Sequence, residues 1–214
     1  MNSHARFRRR AAPFFRLLYR AISTVEFYGL TRALRTGPLL VVFNHLGQFD
    51  PPLVCAHWPI QPEIISAAEV FDVRLVGWVL KQYGAIPVRR GNFDRAVIEQ
   101  SLAILRAAGV LAVAPEGRVS PTGALIEGRI GPAYLAMKAG APLQPLAITG
   151  TEHAWEMLRQ GRRPRLTMTV GEAFCLPELP RSGPDRKAAL RDATDTIMRR
   201  IAALLPVSYR GAYG

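Results

Sequence analysis

Between Phe14 and Val25 apolar residues recur at helical spacing. At about 100° per residue, Phe14, Leu17, Leu18, Ala21, Ile22 and Val25 share one face, while Arg16, Arg20 and Ser23 fall on the other. Such a stripe either packs on the protein's own core or lies flat in a bilayer interface. From Gly37 onward the pattern changes, and short continuous apolar runs alternate with helical ones. Leu39–Phe43, Ile64–Ala67, Ala85–Val88, Val110–Ala114, Leu143–Thr149 and Arg165–Val170 read as strands. Pro87 makes Ala85–Val88 an edge strand or a strand end, because proline has no N–H to give to a ladder. Asp94 caps a helix that turns Val97, Ile98, Leu102 and Leu105 inward and stops at Gly109. A second helix spans Pro132–Ala139, and a long amphipathic one spans Asp185–Leu205 with Leu190, Ala193, Ile197, Ile201 and Leu204 inward. The alternation predicts an α/β fold with a mixed, largely parallel central sheet flanked by helices.

In sheets of this kind chemistry collects at the carboxyl ends of the strands. Three exits here carry polar or titratable groups: Asn44 to Asp50 after the first run, Arg89-Arg90-Gly91 after the third, and Pro115-Glu116-Gly117-Arg118 after the fourth. His45 and Asp50 are five apart, enough for a turn between a strand end and a helix start, with Asp50-Pro51-Pro52 resembling a helix cap followed by proline at the first helical position. Folding back, the carboxylate reaches one imidazole nitrogen and leaves the other to take a proton from a hydroxyl. The same Asp-Pro-Pro would also serve as a plain cap. In Pro115–Ser120, Gly117 allows close backbone approach and Arg118 can pair with an anion bidentately, so the segment reads as an anion cradle or as a surface turn.

Composition narrows the reading. A chain of 214 residues, 49% hydrophobic, supports one sizeable core and an appendage. The net charge of +12 is almost all arginine, lysine occurring only at positions 81, 138 and 187, and arginine's planar fork suits phosphate of any origin. Arg6, Arg8, Arg9, Arg10, Arg16 and Arg20 precede the first acidic residue, Glu26, which makes the first helix a basic amphipathic one. Without a nucleic-acid module or stacking aromatics among the arginines, no nucleic acid is expected as partner. Arg162-Arg163-Pro164-Arg165 reads as a solvated loop, or as a contact for anionic headgroups or an acidic carrier protein. Cys55 and Cys175 have neither metal nor disulfide spacing, Cys55 reads as a packed residue, and no metal site is predicted. No run reaches about 18 uninterrupted apolar residues, so a spanning helix is not predicted, and a cytoplasmic setting is the expectation.

Taken together, these residues resemble the glycerolipid acyltransferases typified by lysophosphatidic acid acyltransferase. Asn44, His45 and Asp50 are similar to the family's first block. Gly84-Ala85-Ile86-Pro87-Val88-Arg89-Arg90 is similar to its second, with Arg90 at the arginine position, and Pro115–Ser120 to its third, usually Pro-Glu-Gly-Thr-Arg-Ser. Leu143-Gln144-Pro145-Leu146 is similar to the fourth, and Arg129 before Gly131 supplies a basic residue between the last two. The resemblance implies a membrane-docking segment over residues 1–35 and an acyltransferase domain over 36–214, acting at the cytoplasmic face of a membrane rich in anionic phospholipids. It implies a lysophospholipid acceptor, most simply 1-acylglycerol-3-phosphate, and acyl-coenzyme A or acyl carrier protein as donor, with no other cofactor. His45 and Asp50 would be catalytic, and Asn44, Arg90, Glu116, Gly117, Arg118 and Arg129 substrate-binding. Three positions depart from the pattern: Arg118 for threonine, Val119 for arginine and Gly47 for a common serine, which bears on the acceptor more than on the chemistry. A non-catalytic lipid-binding protein on the same fold, or an enzyme with another lysolipid acceptor, are the alternatives.

Overall fold

Each residue of β2 (Leu39–Phe43) is buried, and successive side chains go to opposite faces: Leu40 and Val42 to one core, Leu39, Val41 and Phe43 to the other. A strand covered on both sides reads as an unbroken apolar run, which is why this one was legible. The computed structural model describes residues 3–89, 94–180 and 182–214. Its other strands are β1 (Thr24–Tyr28), β3 (Glu63–Ala67), β4 (Ile86–Val88), β5 (Val110–Val113), β6 (Leu143–Thr149) and β7 (Arg165–Val170). They form one sheet in the order β1-β7-β6-β2-β5-β3-β4, parallel throughout except for the β6–β7 pair. β4 is an edge strand, as Pro87 requires.

Helices α4 (Arg95–Arg106), α5 (Ile130–Ala139) and α7 (Pro184–Ala202) cover one face through Leu102, Leu105, Leu135, Leu190, Ile197 and Ile201. Helices α1 (Ser3–Ile22), α2 (Asp50–His57) and α6 (Ala154–Arg159) contribute Tyr19, Leu53, Val54, Cys55 and Ala154 to the other. Burial pushes the Cys55 thiol up to about 12, which suits a packed residue and not a nucleophile. The remaining helix, α3 (Arg74–Tyr83), packs beside α1. The Asp94 carboxylate caps α4 by accepting the N–H groups of Ala96 and Val97.

The N-terminal region differs from its sequence reading. The helix begins at Ser3, well before the apolar periodicity, and ends at Ile22, while Val25 belongs to β1. Its early turns are fastened by polar groups: Arg8 Nε donates to the Tyr83 carbonyl at 2.8 Å, its guanidinium pairs with Glu63 at 3.2 Å, and Arg16 donates to the Ala56 carbonyl. With Tyr19 and Ala12 inward, the apolar stripe faces away from the core, Phe14 being 63% and Leu17 67% exposed. Val73, Leu75, Val76 and Trp78, in and just before α3, are exposed as well, and Trp78 meets Phe7 of α1 edge to face. Of the basic tract, Arg163 donates to the Arg20 and Ser23 carbonyls and Arg165 pairs with Glu26 at 2.6 Å, so these two tie β7 to the end of α1 and to β1. Among the described residues no helix is long and apolar enough to cross a membrane.

Candidate active site at the carboxyl edge of the sheet

β2, β5 and β6 lie side by side in parallel, so their carboxyl ends open on one edge, and the loops leaving them meet there. His45 follows β2. Its Nδ1 lies 2.9 Å from Asp50 Oδ2, and the same oxygen accepts the Leu46 and Gly47 N–H groups at 2.7 and 2.8 Å. Asp50 is fully buried and the His45 side chain 16% exposed. Phe49, not Asp50, is the cap of α2, and Asp50 is the first helical residue with Pro51 and Pro52 behind it. Its carboxylate therefore turns back over the loop instead of capping the helix, and holds the imidazole in the tautomer that carries the proton on Nδ1 and leaves Nε2 able to accept one. The two amides after His45 are bonded to Asp50, and Pro51 and Pro52 in the first turn of α2 have no N–H groups, so neither place offers a free donor to an oxyanion.

Two of the expected substrate-binding residues hold His45 instead. Asn44 is fully buried: its Nδ2 donates to the Ile148 carbonyl at 2.8 Å and its Oδ1 accepts the Ile148 N–H at 2.7 Å. It locks the end of β2 to β6 and has no atom left for a substrate. Glu116, also buried, accepts the His45 N–H through Oε1 at 2.8 Å and the Ile126 N–H through Oε2 at 3.1 Å, bracing the β2 and β5 loops against each other. The Ser120 N–H adds a third tie, to the His45 carbonyl at 2.7 Å.

Glu116 forms the floor of a cavity of about 390 Å³ that Arg118, Ile126, Glu127, Arg129 and Ala212 also line. Gly117 has φ +69°, a conformation that glycine adopts without strain, and brings Arg118 round to this cavity. Arg129, at the start of α5, is fixed through its N–H to the Pro115 carbonyl at 2.8 Å. Arg118, Gly117 and Arg129 thus converge; Arg90 lies outside the described residues. On the other side of the β2 loop, Phe15, Leu18 and Ile22 of α1 join Phe49, Pro52 and Trp155 around a largely apolar groove of about 590 Å³. Tyr19 of α1 donates to the Phe49 carbonyl at 2.6 Å, so this helix also fixes the loop that carries the histidine.

An imidazole backed by a carboxylate, on a loop flanked by a cavity that Arg118 and Arg129 share with Glu116 and Glu127 and by an apolar groove, suits proton removal from an attacking hydroxyl. The profile of the family described as Acyltransferase matches residues 24–149, the span that holds His45, Asp50, Glu116 and Arg129. The chain belongs to the acyltransferase family. Among its relatives, lyso-ornithine lipid O-acyltransferase of Pseudomonas aeruginosa is 36% identical over 115 residues, 52% of this chain and 43% of that protein. The chloroplastic 1-acyl-sn-glycerol-3-phosphate acyltransferase BAT2 of Brassica napus is 25% identical over 154 residues, 68% of this chain and 44% of that one. The chain therefore matches less than half the length of either. The fold is that of the crystal structure of the 1-acyl-sn-glycerophosphate (LPA) acyltransferase, PlsC, from Thermotoga maritima, with a TM-score of 0.69 over 92% of this chain and 79% of that one at 20% identity.

Two features of this acyltransferase escaped sequence reading. The exit of β6 brings Thr151 and Glu152 to the groove, although nothing in their local pattern marks them. Gly47, where the resemblance led to an expectation of serine, packs on that exit: a Cβ there would stand 2.9 Å from the Thr151 carbonyl oxygen. The departure is thus a matter of space. The second feature is electrostatic. Burial pushes the Glu116 carboxyl up to about 7, the two N–H bonds only partly opposing it. A carboxyl raised on folding holds its proton better in the folded chain, so its contribution to stability is complete below its ordinary value of 4.5 and is lost as the pH climbs to about 7. The stability of wild type relative to Glu116→Gln is expected to fall by up to about 3 kcal/mol across that window. Denaturant titrations at a series of pH values read it, and a difference that stays level would disprove it.

Proposed function

We propose that this protein transfers a fatty acyl group from an acyl thioester, acyl-coenzyme A or acyl carrier protein, to the free hydroxyl of a lysophospholipid, 1-acylglycerol-3-phosphate being the acceptor that Arg118 and Arg129 suit best. The observation that carries the reading is the 2.9 Å contact between His45 Nδ1 and Asp50 Oδ2. His45 Nε2 removes the hydroxyl proton as the oxygen attacks the thioester carbonyl; the carbon–sulfur bond breaks, and the proton passes to the departing thiolate. Asp50 stabilises the imidazolium in between. Arg118 and Arg129 hold the acceptor's anionic group, and the groove beside Gly47 and Phe49 takes an acyl chain. The exposed apolar faces of α1 and α3, with arginines around them, dock the protein on anionic phospholipid at the cytoplasmic surface.

A second acceptor is favoured by one observation. The relative from Pseudomonas aeruginosa bears the name of a lyso-ornithine lipid acyltransferase, and the third block here reads Arg118-Val119 instead of the usual Thr-Arg. An amino-acid headgroup would offer Arg118 and Arg129 a carboxylate in place of a phosphate.

The test is acyl transfer from labelled acyl-coenzyme A or acyl carrier protein to a panel of lysolipids carried in anionic vesicles or in detergent, with products identified by mass spectrometry. Acylation of 1-acylglycerol-3-phosphate is the expected result, and Arg118→Ala should raise its KM about ten-fold. Leu17→Asp should slow the reaction on vesicles and spare it in detergent. Product only from lyso-ornithine lipid would select the second acceptor. No product from any lysolipid with either donor would end the proposal.

A further inference from the structure

Residues 206–214 lie beyond the stretch matched by the family, and no step above uses them. They form two short 3-10 turns, Val207–Tyr209 and Gly211–Tyr213, laid across the loop between β5 and α5. Loop and strap exchange backbone bonds: the Leu125 N–H donates to the Tyr209 carbonyl at 2.9 Å, and the Ala212 N–H donates to the Leu125 carbonyl at 3.2 Å. The Gly128 N–H donates to Tyr213 Oη at 3.2 Å. Gly211 has φ +50°, and a Cβ there would fall inside contact distance of the Leu125 carbonyl oxygen, so strap and loop are fitted as closely as backbone allows.

The same loop is held from its other side by groups of the active site. Ile126 donates to Glu116, whose second oxygen holds the His45 N–H, and Arg129 donates to the Pro115 carbonyl. The backbone is thus fixed at Leu125 and Gly128 by the strap and at Ile126 and Arg129 by the site. Ala212 lines the same cavity as Arg118 and Arg129. The Tyr209 hydroxyl donates to Glu152 Oε1 at 2.6 Å, and burial together with that carboxylate pushes the phenol up to about 12, so it keeps its proton. Glu152 in turn lines the apolar groove.

We propose that residues 206–214 are a positioning strap for acceptor binding, in which Tyr213 and Gly211 fix the loop from which Arg129 reaches the acceptor's anionic group. This rests on the acyltransfer reading above. Tyr213→Phe removes one oxygen atom and leaves the Gly128 N–H unpaired; Gly211→Val drives the strap off Leu125. For wild type and both variants, kcat, the KM for lysolipid, the KM for thioester and amide hydrogen exchange over residues 124–129 are measured. Tyr213→Phe is expected to raise the lysolipid KM about five-fold, with kcat and the thioester KM within about two-fold of wild type and exchange at Gly128 accelerated. Gly211→Val is expected to do more of the same, and if it does not fold, Tyr213→Phe decides alone. An unchanged lysolipid KM overturns the proposal, and so does a joint worsening of kcat and both KM values with a lowered Tm, the mark of general loosening. Should wild type acylate no lysolipid, the acyltransfer reading fails by itself. The strap is then judged on exchange, and unaltered protection at Ile126 and Gly128 overturns it.

Discussion

Replacing His45 by alanine is expected to lower kcat by about a thousand-fold or more while the protein stays folded. The loss of a general base accounts for a factor of about a hundred to ten thousand, and the positioning of hydroxyl and thioester would survive the change. Folding should survive as well, because among the described residues the imidazole hydrogen-bonds to Asp50 alone and is partly exposed, whereas the contacts that fix the loop run through backbone atoms of residue 45. Single-turnover transfer from labelled thioester gives the rate, and the Tm controls for folding. Asp50→Asn separates orientation from charge: the Leu46 and Gly47 N–H groups keep the amide oxygen facing Nδ1, so the tautomer is kept while the negative charge that stabilises the imidazolium is lost. A folded His45→Ala protein with undiminished turnover would leave the proposed mechanism without its base.

The largest effect on stability is expected from Asn44→Ala. The side chain satisfies both the N–H and the C=O of Ile148, the two main-chain groups of a fully buried residue in the sheet interior. Removing it orphans both, at about 1–3 kcal/mol each, and leaves a cavity besides. A loss of about 3 kcal/mol in urea unfolding is expected. Because Asn44 precedes the histidine, kcat should fall too, with the lysolipid KM little altered, since no atom of Asn44 is left to touch a substrate. A rise in KM alone, with unfolding unchanged, would return Asn44 to the substrate-binding set.

What sequence showed and what it hid divide along a physical line. β2, β5 and β6 were legible because strands buried on both faces leave continuous apolar runs, and the Asp94 cap and the five-residue spacing of His45 and Asp50 are local. β1 was hidden because Val25 completes a helical angle with Ile22, while the break after Ser23 is set by a distant segment, the Thr24 N–H leaving the helix for the Pro164 carbonyl. The upstream half of α1 was hidden because its anchors, the Tyr83 carbonyl and Glu63, come from distant segments. Asn44 and Glu116 stand out in the sequence as polar residues at strand exits, but the backbone groups they bond lie in segments 104 and 71 residues distant, so that bracing is not legible locally.

Leu18 lines the groove and also belongs to the outward stripe of α1. On that side the wall of the groove is part of the helix face that docking would lay on the lipid. Under the proposed docking, a lipid tail would slide sideways into place without crossing water. Turnover would then follow the mole fraction of acceptor in the lipid layer, and diluting the vesicles at fixed lipid composition would leave the rate per bound protein unchanged.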